Sequence, residues 1–444
     1  MQPAAPNQLR RILGLAFGVA VVVGGTIGQG VLRSPGVVAQ GVPDPAFMIM
    51  FWVLGGVIAL IDAMSTVELA ASIQLAGGPY AFAKRAFGQM IGLAVGLTDW
   101  LGNIGGIAYV SVVFAEYVHR LGLLTGVPLG VVAAALPVTV GLIQWFGTRV
   151  AGRSQEIGSA LKALIFLALI VGLLLSPRGE PVVTPNTLSP AMTFIGAVAA
   201  IRAIFGTYYG WNGAVYFCEE VRDPSQCVAR ATFSGIAVIT AIYVLVVAAC
   251  LQVMTVPEMA ASKLVVADAA ARVFGSAADT LLTLVSLVSI ATVANVLVMM
   301  FPRVLFSIAR DAGNIPGFSA VAANGTPRAA LVVTVALSSL LATIGVYEIL
   351  LAFSVSLLAA MSLSVNIAAI AMRMREPDLP RPYRMPLFPL PAIFAAIVNA
   401  ALFAAFVFDD PATAGRAFLL LAAIVIPAYA LIRHRTRMQA AAVG

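Results

Sequence analysis

The fold turns on the stretch Gly24-Gly25-Thr26-Ile27-Gly28-Gln29-Gly30, in which four of seven residues are glycine. It lies in the middle of an apolar run from residue 12 to about residue 40, long enough to cross a bilayer as one helix. Each glycine inside a helix weakens it by roughly 0.5–1 kcal/mol relative to alanine. In lipid, unwound backbone is tolerated only where protein buries it or a cavity borders it. The stretch therefore predicts a broken helix and a ligand site at membrane depth.

The composition is that of a membrane protein. Of the 444 residues, 61% are hydrophobic and 10% are charged, whereas soluble domains average about 25% charged residues. Apolar stretches of about 18 residues or more, the length of a membrane span, recur along the whole chain. The sequence predicts an all-α polytopic membrane protein with twelve transmembrane helices, at about residues 12–40, 46–72, 90–118, 127–147, 155–176, 190–217, 230–254, 276–302, 328–345, 348–372, 388–408 and 413–432.

The distribution of positive charge predicts the orientation of these spans. With the N-terminus inside the cell, the cytoplasmic loops and tails hold eighteen lysines and arginines, and the outer loops hold five. This bias predicts that both termini are cytoplasmic. It also accounts for the net charge of +7, because the cations are spread over loops rather than gathered on one face. Nucleic-acid binding is therefore disfavoured.

We expect a single transmembrane transporter domain over residues 1–444. The loop 375–382, rich in proline and charge, separates ten spans from the last two. Ten spans divide into two fives, and the span that opens the second five is itself interrupted at Gly206-Thr207-Tyr208-Tyr209-Gly210-Trp211-Asn212-Gly213. We therefore expect a first inverted repeat, a second inverted repeat and two trailing helices, at residues 10–177, 190–374 and 388–433.

Each glycine cluster has two interpretations. A lone cluster in a membrane helix more often permits close helix packing than it marks a break. Two clusters at matching positions of two halves favour breaks instead, because such pairs flank the binding site of transporters built from inverted repeats. Five spans per repeat is an odd number, so the second repeat enters the membrane from the opposite side.

Several motifs, in order along the chain, resemble the amino acid–polyamine–organocation superfamily, most closely the bacterial relatives of the L-type amino-acid transporters. The resemblance covers residues 10 to about 390 and rests on these elements: Gly24 to Val31 with Ser34-Pro35-Gly36, Glu68-Leu69, Ala76-Gly77-Gly78-Pro79-Tyr80, Phe87-Gly88, Gly147, Gln155, Lys162, Tyr209-Gly210-Trp211-Asn212, Glu219 to Pro224, Arg303 to Asp311, Ile315-Pro316 and Arg381 to Pro386.

This resemblance implies a LeuT-like fold with a 5+5 inverted repeat and two extra C-terminal helices. It also implies a permease that moves amino acids across a bacterial-type cytoplasmic (inner) membrane by alternating access. Amino acid substrates, the lipid bilayer and, for a coupled carrier, protons are the partners that follow.

A pair of broken helices offers complements to both charges of an amino acid. Free N–H groups at the start of a half-helix can hold the carboxylate, and free carbonyls can hold the ammonium. The expected substrate-binding residues lie at the two interruptions. Gln29 replaces a serine that is usual in the family, Gly206 stands where relatives carry an aromatic gate, and Trp211 is either a site or a core residue. The full set is Thr26, Ile27, Gly28, Gln29, Gly30, Phe205, Gly206, Thr207, Tyr208, Tyr209 and Trp211.

Lys162 lies about six residues into an otherwise apolar span. A charge in hydrocarbon is expensive, so such residues are functional candidates by default; snorkelling to the cytoplasmic face is the alternative. In the resembling family the fifth-span lysine occupies the place of sodium in sodium-coupled relatives. We therefore expect Lys162 to couple protons, with Ser289 and Thr292 as hydroxyl partners.

Arg33 and Arg202 each lie about one turn beyond a break, counted along the chain. Two guanidinium groups there can select a substrate with an extra carboxylate. Alternatively they pair with membrane acids such as Asp62, Asp99 or Glu116. Because these arginines are the ionisable residues nearest the breaks in sequence, a polyamine or organocation antiporter, which needs acids in its pocket, is disfavoured.

Other classes remain alternatives to a proton-coupled amino-acid permease. These are an obligate amino-acid exchanger, a channel and a ligand-sensing receptor without transport. An enzyme is not expected, because no nucleophile–base pair or paired acids occur at one depth. No cofactor and no metal site are expected, and the loop between the third and fourth spans lacks a cysteine for a disulfide-linked heavy chain.

Overall fold

The computed structural model describes residues 9, 11–28, 30–177, 192–262, 264–275 and 277–443. Within these ranges the secondary structure is helical, with a 3-10 helix at Trp211–Phe217 between α8 and α9. The α-helices are α1 Leu15–Thr26, α2 Gly30–Gly41, α3 Pro45–Ile73, α4 Pro79–Phe87, α5 Gln89–Arg120, α6 Leu129–Trp145, α7 Thr148–Leu174, α8 Phe194–Tyr208, α9 Pro224–Val253, α10 Val256–Ala261, α11 Val265–Phe274, α12 Ala277–Asp311, α13 Arg328–Ala342, α14 Tyr347–Arg375, α15 Leu390–Asp409 and α16 Pro411–Val443.

The long helices confirm a polytopic membrane protein. In the described ranges, eight helices are long and apolar enough to cross a bilayer, and the pair α1 and α2 makes a ninth span if its two parts are counted together. The helices α6 and α13 are apolar but shorter, with 17 and 15 residues. Length and composition therefore establish eight to nine spans among the described residues, and the expected count of twelve stays a prediction.

Both interruptions expected from the glycines are present. The axes of α1 and α2 meet at 49°. At the end of α1, the Thr26 hydroxyl donates to the Val22 carbonyl at 2.8 Å. The other interrupted helix, α8, ends at Tyr208, and the chain forms a 3-10 helix from Trp211. Glycine supplies the flexibility at both places, so the sequence-based prediction of two broken helices is confirmed.

The helix α1 occupies the centre of the bundle, between its two large apolar cores. It contacts α7, α9, α12 and the 3-10 helix. Phe17 and Val21 belong to the core that includes Tyr216 and Phe301, whereas Ile27 belongs to the other, around Trp52. Burial on all sides holds the first break in a fixed position.

One end of the bundle is tied by ion pairs. Glu220 and Arg303 are buried and form a bidentate pair, and Arg310 binds Glu219 at 2.7 Å. The chain before α1 joins this end through a backbone bridge, in which Leu13 N donates to Glu220 O at 3.0 Å. The segment before the first break is therefore bonded to the segment after the second break.

The surface pairs at this end are more exposed. Lys84 and Asp311 are 2.6 Å apart, with about a third of the lysine side chain exposed. A hydrogen bond from the Arg85 guanidinium holds the pKa of Glu376, in the loop after α14, below its usual range. Exposed pairs of this kind contribute little to stability, since solvent screens both charges.

We expect Arg303→Met to lower the free energy of unfolding by about 3–5 kcal/mol, because it leaves the carboxylate of Glu220 buried without its partner. The matched variant Lys84→Met should lower it by about 1 kcal/mol or less, since Asp311 keeps a hydrogen bond from Tyr80. Chemical unfolding in detergent micelles measures both values, and equal losses would contradict the assigned importance of the buried pair.

Candidate functional site

The two broken helices lie directly against each other. Gly210 has a φ of +122°, and a Cβ atom on it would lie 2.7 Å from the Gly25 carbonyl oxygen, so a larger residue is excluded there. Beyond the breaks, the hydroxyl oxygens of Ser34 and Thr207 are 2.6 Å apart. The structure thus brings the expected residues of both interruptions into one place. Gln29 lies outside the described residues.

Tyr243 of α9 joins the two breaks. Its hydroxyl lies 3.0 Å from the carbonyl oxygen of Thr26 and 3.1 Å from that of Thr207. Both carbonyls belong to the last turn of a helix, where no following N–H completes the usual ladder. The side chain is fully buried and packs edge-on against Trp52 and Tyr208. One phenol therefore sets the distance between two backbone segments that are far apart in sequence.

Lys162 of α7 reaches the first break. Its Nζ donates to the carbonyl oxygens of Gly24 at 3.0 Å and Ile27 at 2.5 Å, and the side chain is fully buried. It therefore does not snorkel. Ser289 of α12 donates to the same Ile27 carbonyl at 3.0 Å, while the hydroxyl of Thr292 bonds within its own helix, to Val288 O. Ser289 meets the lysine at a shared carbonyl, and Thr292 does not bond to it.

A chain of side-chain amides leads from α6 to α1. Gln144 donates to Asn295 at 2.8 Å, and Asn295 donates to Gln155 at 2.8 Å. Gln155 and Ser159 then both donate to the Ala20 carbonyl. Side chains of α6, α12 and α7 are thereby linked to the Ala20 carbonyl of α1. This carbonyl lies one helical turn before that of Gly24, which Lys162 contacts. No glycine or charge marks these amides in the sequence, and only packing brings them together.

The aromatic residues of the second break have different surroundings. Tyr208 is buried and donates to the Trp52 carbonyl at 2.8 Å. Trp211 lies in the apolar core around Trp52, which agrees with its interpretation as a core residue. Phe205 is half-buried, and a Cβ on Gly206 would meet no atom of the described residues within 4 Å. The position that is an aromatic gate in the resembling family is therefore open space here.

A small cavity borders the second break. It has room for about one water molecule, and its walls come from the break, α3, α4 and α14. The lining residues are Asp62, Thr66, Pro79, Tyr209, Gly210, Trp211, Asn212, Met361, Ser362 and Val365.

This cavity corrects one sequence-based argument. Asp62 was named only as a possible partner of Arg33 or Arg202, but it lies in the cavity wall beside Tyr209, which is also close enough to interact electrostatically with Asp99. Spacing along the chain could not place these acids, because they come from α3 and α5. The ionisable residues nearest the second break in space therefore include an acid, which counting along the chain did not show, and the preference against a cationic substrate stays a prediction.

Arg33 and Arg202 have different surroundings. Arg202 binds Asp409 of α15 at 2.7 Å and lies over the Phe406 ring, so its acid is not among the three that the sequence suggested. Arg33 is half-buried, and the described part of the chain provides no acid in ion-pair distance of it. Arg202 therefore fixes α8 against α15, and Arg33 is left as the candidate that can meet a substrate.

This arrangement can bind a small zwitterion. Glycine at the breaks allows a ligand to approach the backbone, and the start of α2 directs N–H groups and the positive end of a helix dipole towards the gap. Carbonyl oxygens have two lone pairs, so those of Thr26 and Thr207 can accept from a ligand ammonium in addition to Tyr243. Nothing in this geometry requires a reactive nucleophile or a metal ion.

Comparisons with known proteins agree with this chemistry. The profile of the family described as amino acid permease matches residues 12–429. The serine/threonine exchanger SteT of Bacillus subtilis is 24% identical over 425 residues, covering 93% of this chain and 95% of that protein. The large neutral amino acids transporter small subunit 2 of Mus musculus is 28% identical over 401 residues, 86% and 74% of the two chains. The b(0,+)-type amino acid transporter 1 of Mus musculus is 26% identical over 420 residues, 91% and 84%.

We expect Tyr243→Phe to lower the free energy of unfolding by about 1–3 kcal/mol, because two carbonyls at helix ends lose the single phenol hydrogen that they share inside the bundle. The matched variant Tyr208→Phe should lower it by about 1 kcal/mol or less, since the Trp52 carbonyl lies inside α3 and keeps its helical hydrogen bond. Unfolding titrations in micelles compare the two; a larger loss for Tyr208→Phe would contradict the bridging role of Tyr243.

Proposed function

The chain belongs to the amino acid permease family, and we propose that it is a secondary transporter that carries amino acids across the membrane by alternating access. The observation that carries the proposal is the contact between two broken helices, whose freed carbonyls are held by Tyr243 and Lys162. Broken helices that meet at membrane depth provide backbone groups for a substrate without any charged pocket.

The proposed substrate site lies between the two breaks. We infer that the substrate carboxylate binds the N–H groups at Gly28, Gln29 and Gly30. The ammonium binds carbonyls at Thr26 and at residues 206–209. The open space at Gly206 takes the substrate side chain, bordered by Phe205, Thr207, Tyr208 and Tyr209. This assignment is supported by the glycines, which let a ligand reach the backbone, and by the absence of any atom within 4 Å of a Cβ on Gly206.

The proposed architecture has twelve spans and a LeuT-like 5+5 inverted repeat. Twelve spans result when the bent pair α1–α2, the shorter α6 and α13, and α8 with its 3-10 helix each cross the membrane once. The repeats are then residues 10–177 and 190–374, each opening with a broken helix, and residues 388–433 form the trailing pair. The excess of cations on alternate loops supports cytoplasmic termini in an inner membrane of bacterial type.

The coupling mode is a proton symport through Lys162, with obligate exchange as the second candidate. A buried lysine can gain and lose a proton as its surroundings change, and Lys162 touches the backbone that would move with the substrate. Exchange is favoured by one relative, whose name is that of a serine/threonine exchanger. Both modes use the same substrate site.

We propose that no disulfide-linked heavy chain is required. One relative is named as a small subunit, which denotes a chain of a larger assembly. Here the three cysteines, Cys218, Cys227 and Cys250, are unpaired and buried in the described structure, so a covalent partner has no accessible thiol to use.

Uptake into proteoliposomes tests the function and the role of Lys162 together. With a panel of labelled amino acids and one polyamine, we expect accumulation of an amino acid driven by an inward proton gradient. Lys162→Ala should abolish accumulation more than it weakens binding, since the proton carrier is lost while the breaks remain. The control Lys84→Ala should accumulate substrate normally, because its lysine pairs at the surface.

Three results would overturn parts of this proposal. Unchanged proton-driven accumulation in Lys162→Ala would remove that residue from coupling. Uptake only against internal substrate, without any effect of the gradient, would establish exchange. Binding without uptake of any substrate would establish a ligand-sensing receptor in place of a transporter.

Arg33 is proposed to select substrates with a second carboxylate. We expect Arg33→Gln to weaken competition by glutamate or aspartate by about tenfold or more relative to neutral amino acids, the value of one hydrogen bond between charged groups. Arg202→Gln is the matched control and should leave that ratio unchanged, because Arg202 is engaged by Asp409. Equal competition by acidic and neutral amino acids in both proteins would show that Arg33 does not meet the substrate.

A further inference from the structure

Asp62 is a buried carboxylate without a cationic partner. It lies on α3, is 5% exposed, and receives a hydrogen bond from Asn366 of α14 and another from Asn399 of α15, each at 2.9 Å. Both amides donate to the same oxygen, Oδ1. In the described part of the chain, no arginine, lysine or histidine pairs with it. An ionised carboxylate is expensive in such a place unless it is paired.

The two asparagines have no donor capacity left. Each amide nitrogen gives one N–H to Asp62 and the other to a carbonyl four residues earlier in its own helix, that of Ser362 at 3.1 Å and that of Ala395 at 2.9 Å. This double use fixes which end of each amide is the nitrogen. Both amide oxygens are consequently left buried, with no donor among the described residues. Each amide that donates to Asp62 therefore has an oxygen that still lacks a donor.

We propose that Asp62 is a proton-binding site of this protein, separate from Lys162 and beside the second break. A proton delivered by hydronium bonds to Oδ2 and leaves a water molecule behind. The new O–H then donates to the amide oxygen of Asn366 or Asn399 while that amide donates to Oδ1, as in a carboxylic acid–amide pair. One proton thus removes the buried charge and supplies an orphan oxygen with its donor.

The adjacent cavity places a water-sized space against Asp62. Asp62 lies in its wall together with Tyr209 and Gly210 of the second break, and the space takes about one water molecule. A movement of the break away from α3 widens this space and hydrates the carboxyl. Hydration favours the ionised form, so the occupancy of the proton site follows the conformation of the break.

The neighbouring ionisable groups do not supply an alternative counter-charge. On α3 and α14, Glu68 and Arg373 bind each other, with Arg381 beside them. On α15, Asp409 binds Arg202. On α4, Lys84 binds Asp311, and across the cavity Tyr209 is a neutral phenol.

Asp99 is a matched comparison. It is equally buried, but the Tyr216 hydroxyl lies 2.8 and 2.9 Å from its two carboxylate oxygens, and Asn103 donates to it at 3.0 Å. Donors thus reach both oxygens of Asp99, whereas both donors of Asp62 reach Oδ1. The two buried aspartates of the described chain therefore differ in how donors are distributed over their carboxylate oxygens.

Infrared spectroscopy of the full-length protein in lipid tests this assignment. At neutral pH we expect a carbonyl stretching band of an un-ionised carboxylic acid that shifts in D2O, disappears in Asp62→Asn and persists in Asp99→Asn. Transport provides a second readout: across the pH range in which the band is lost, the uptake rate should vary with pH in the wild type and become flat in Asp62→Asn.

A second measurement tests the assignment even if Asp62→Asn does not fold. Wild-type and Asp99→Asn proteins labelled with carbon-13 at the aspartate carboxyl should both show the isotopic shift of the band, because Asp62 is then the remaining buried aspartate of the described chain. Loss of the band in Asp99→Asn places the proton on Asp99 and overturns the proposal. An ionised Asp62 at all pH values, or a spectrum that responds to sodium or potassium instead of pH, also overturns it. The spectra require no transport, so failure of the proposed transporter function leaves this test intact.

Discussion

A backbone carbonyl that leaves a helix inside a membrane has no water to bond, and this constraint organises the molecule. Each unsatisfied group in hydrocarbon is worth several kcal/mol, roughly the stability of many folds. The two breaks free such groups in the centre of the bundle. Tyr243, Lys162 and Ser289, from three different helices, are directed at carbonyls of the breaks. The helices of the bundle therefore pack around the two helix breaks.

The same groups that stabilise the breaks also make them usable as a binding site. Tyr243 bonds carbonyls from both segments, so a displacement of either one alters a shared contact. Lys162 and Ser289 share the Ile27 carbonyl, so the ammonium and the hydroxyl respond to the same movement. A ligand that bonds this backbone competes with or adds to these contacts, which links ligand occupancy to the position of the breaks. The Glu220–Arg303 ion pair and the backbone bridge between Leu13 and Val221 hold the segments next to the two breaks together.

Buried charge is distributed according to whether a partner can be reached. Near one end of the bundle, acids and arginines are paired, and the most buried pair, Glu220 with Arg303, joins the end of the second broken helix to α12. In the middle, Lys162 and Asp62 have no opposite charge within reach in the described structure and rely on backbone carbonyls or on amides. Unpaired ionisable groups in hydrocarbon are retained for a function. Lys162 contacts the first break, and Asp62 lies beside the second.

Much of the fold followed from patterns that are local. Apolar run length identified the spans, and glycine density identified both breaks, because helix propensity and membrane insertion depend on the residues of one segment. Lys162 was found for the same reason: a charge inside an apolar run is visible without knowing its neighbours. The motifs shared with the amino acid permease family added the expected substrate.

Only the tertiary structure decided which side chains meet. Tyr243, Gln144 and Asn295 carry no sequence signal that distinguishes them from other polar residues of apolar helices, yet they complete the contacts of the first helix. Arg202 was placed near the breaks by counting along one helix, but its acid is Asp409, from α15. Asp62 came to lie beside Tyr209 because α3 packs against the second break. Sequence determines where a helix fails, and three-dimensional packing determines what replaces its hydrogen bonds, since the partners come from segments hundreds of residues apart.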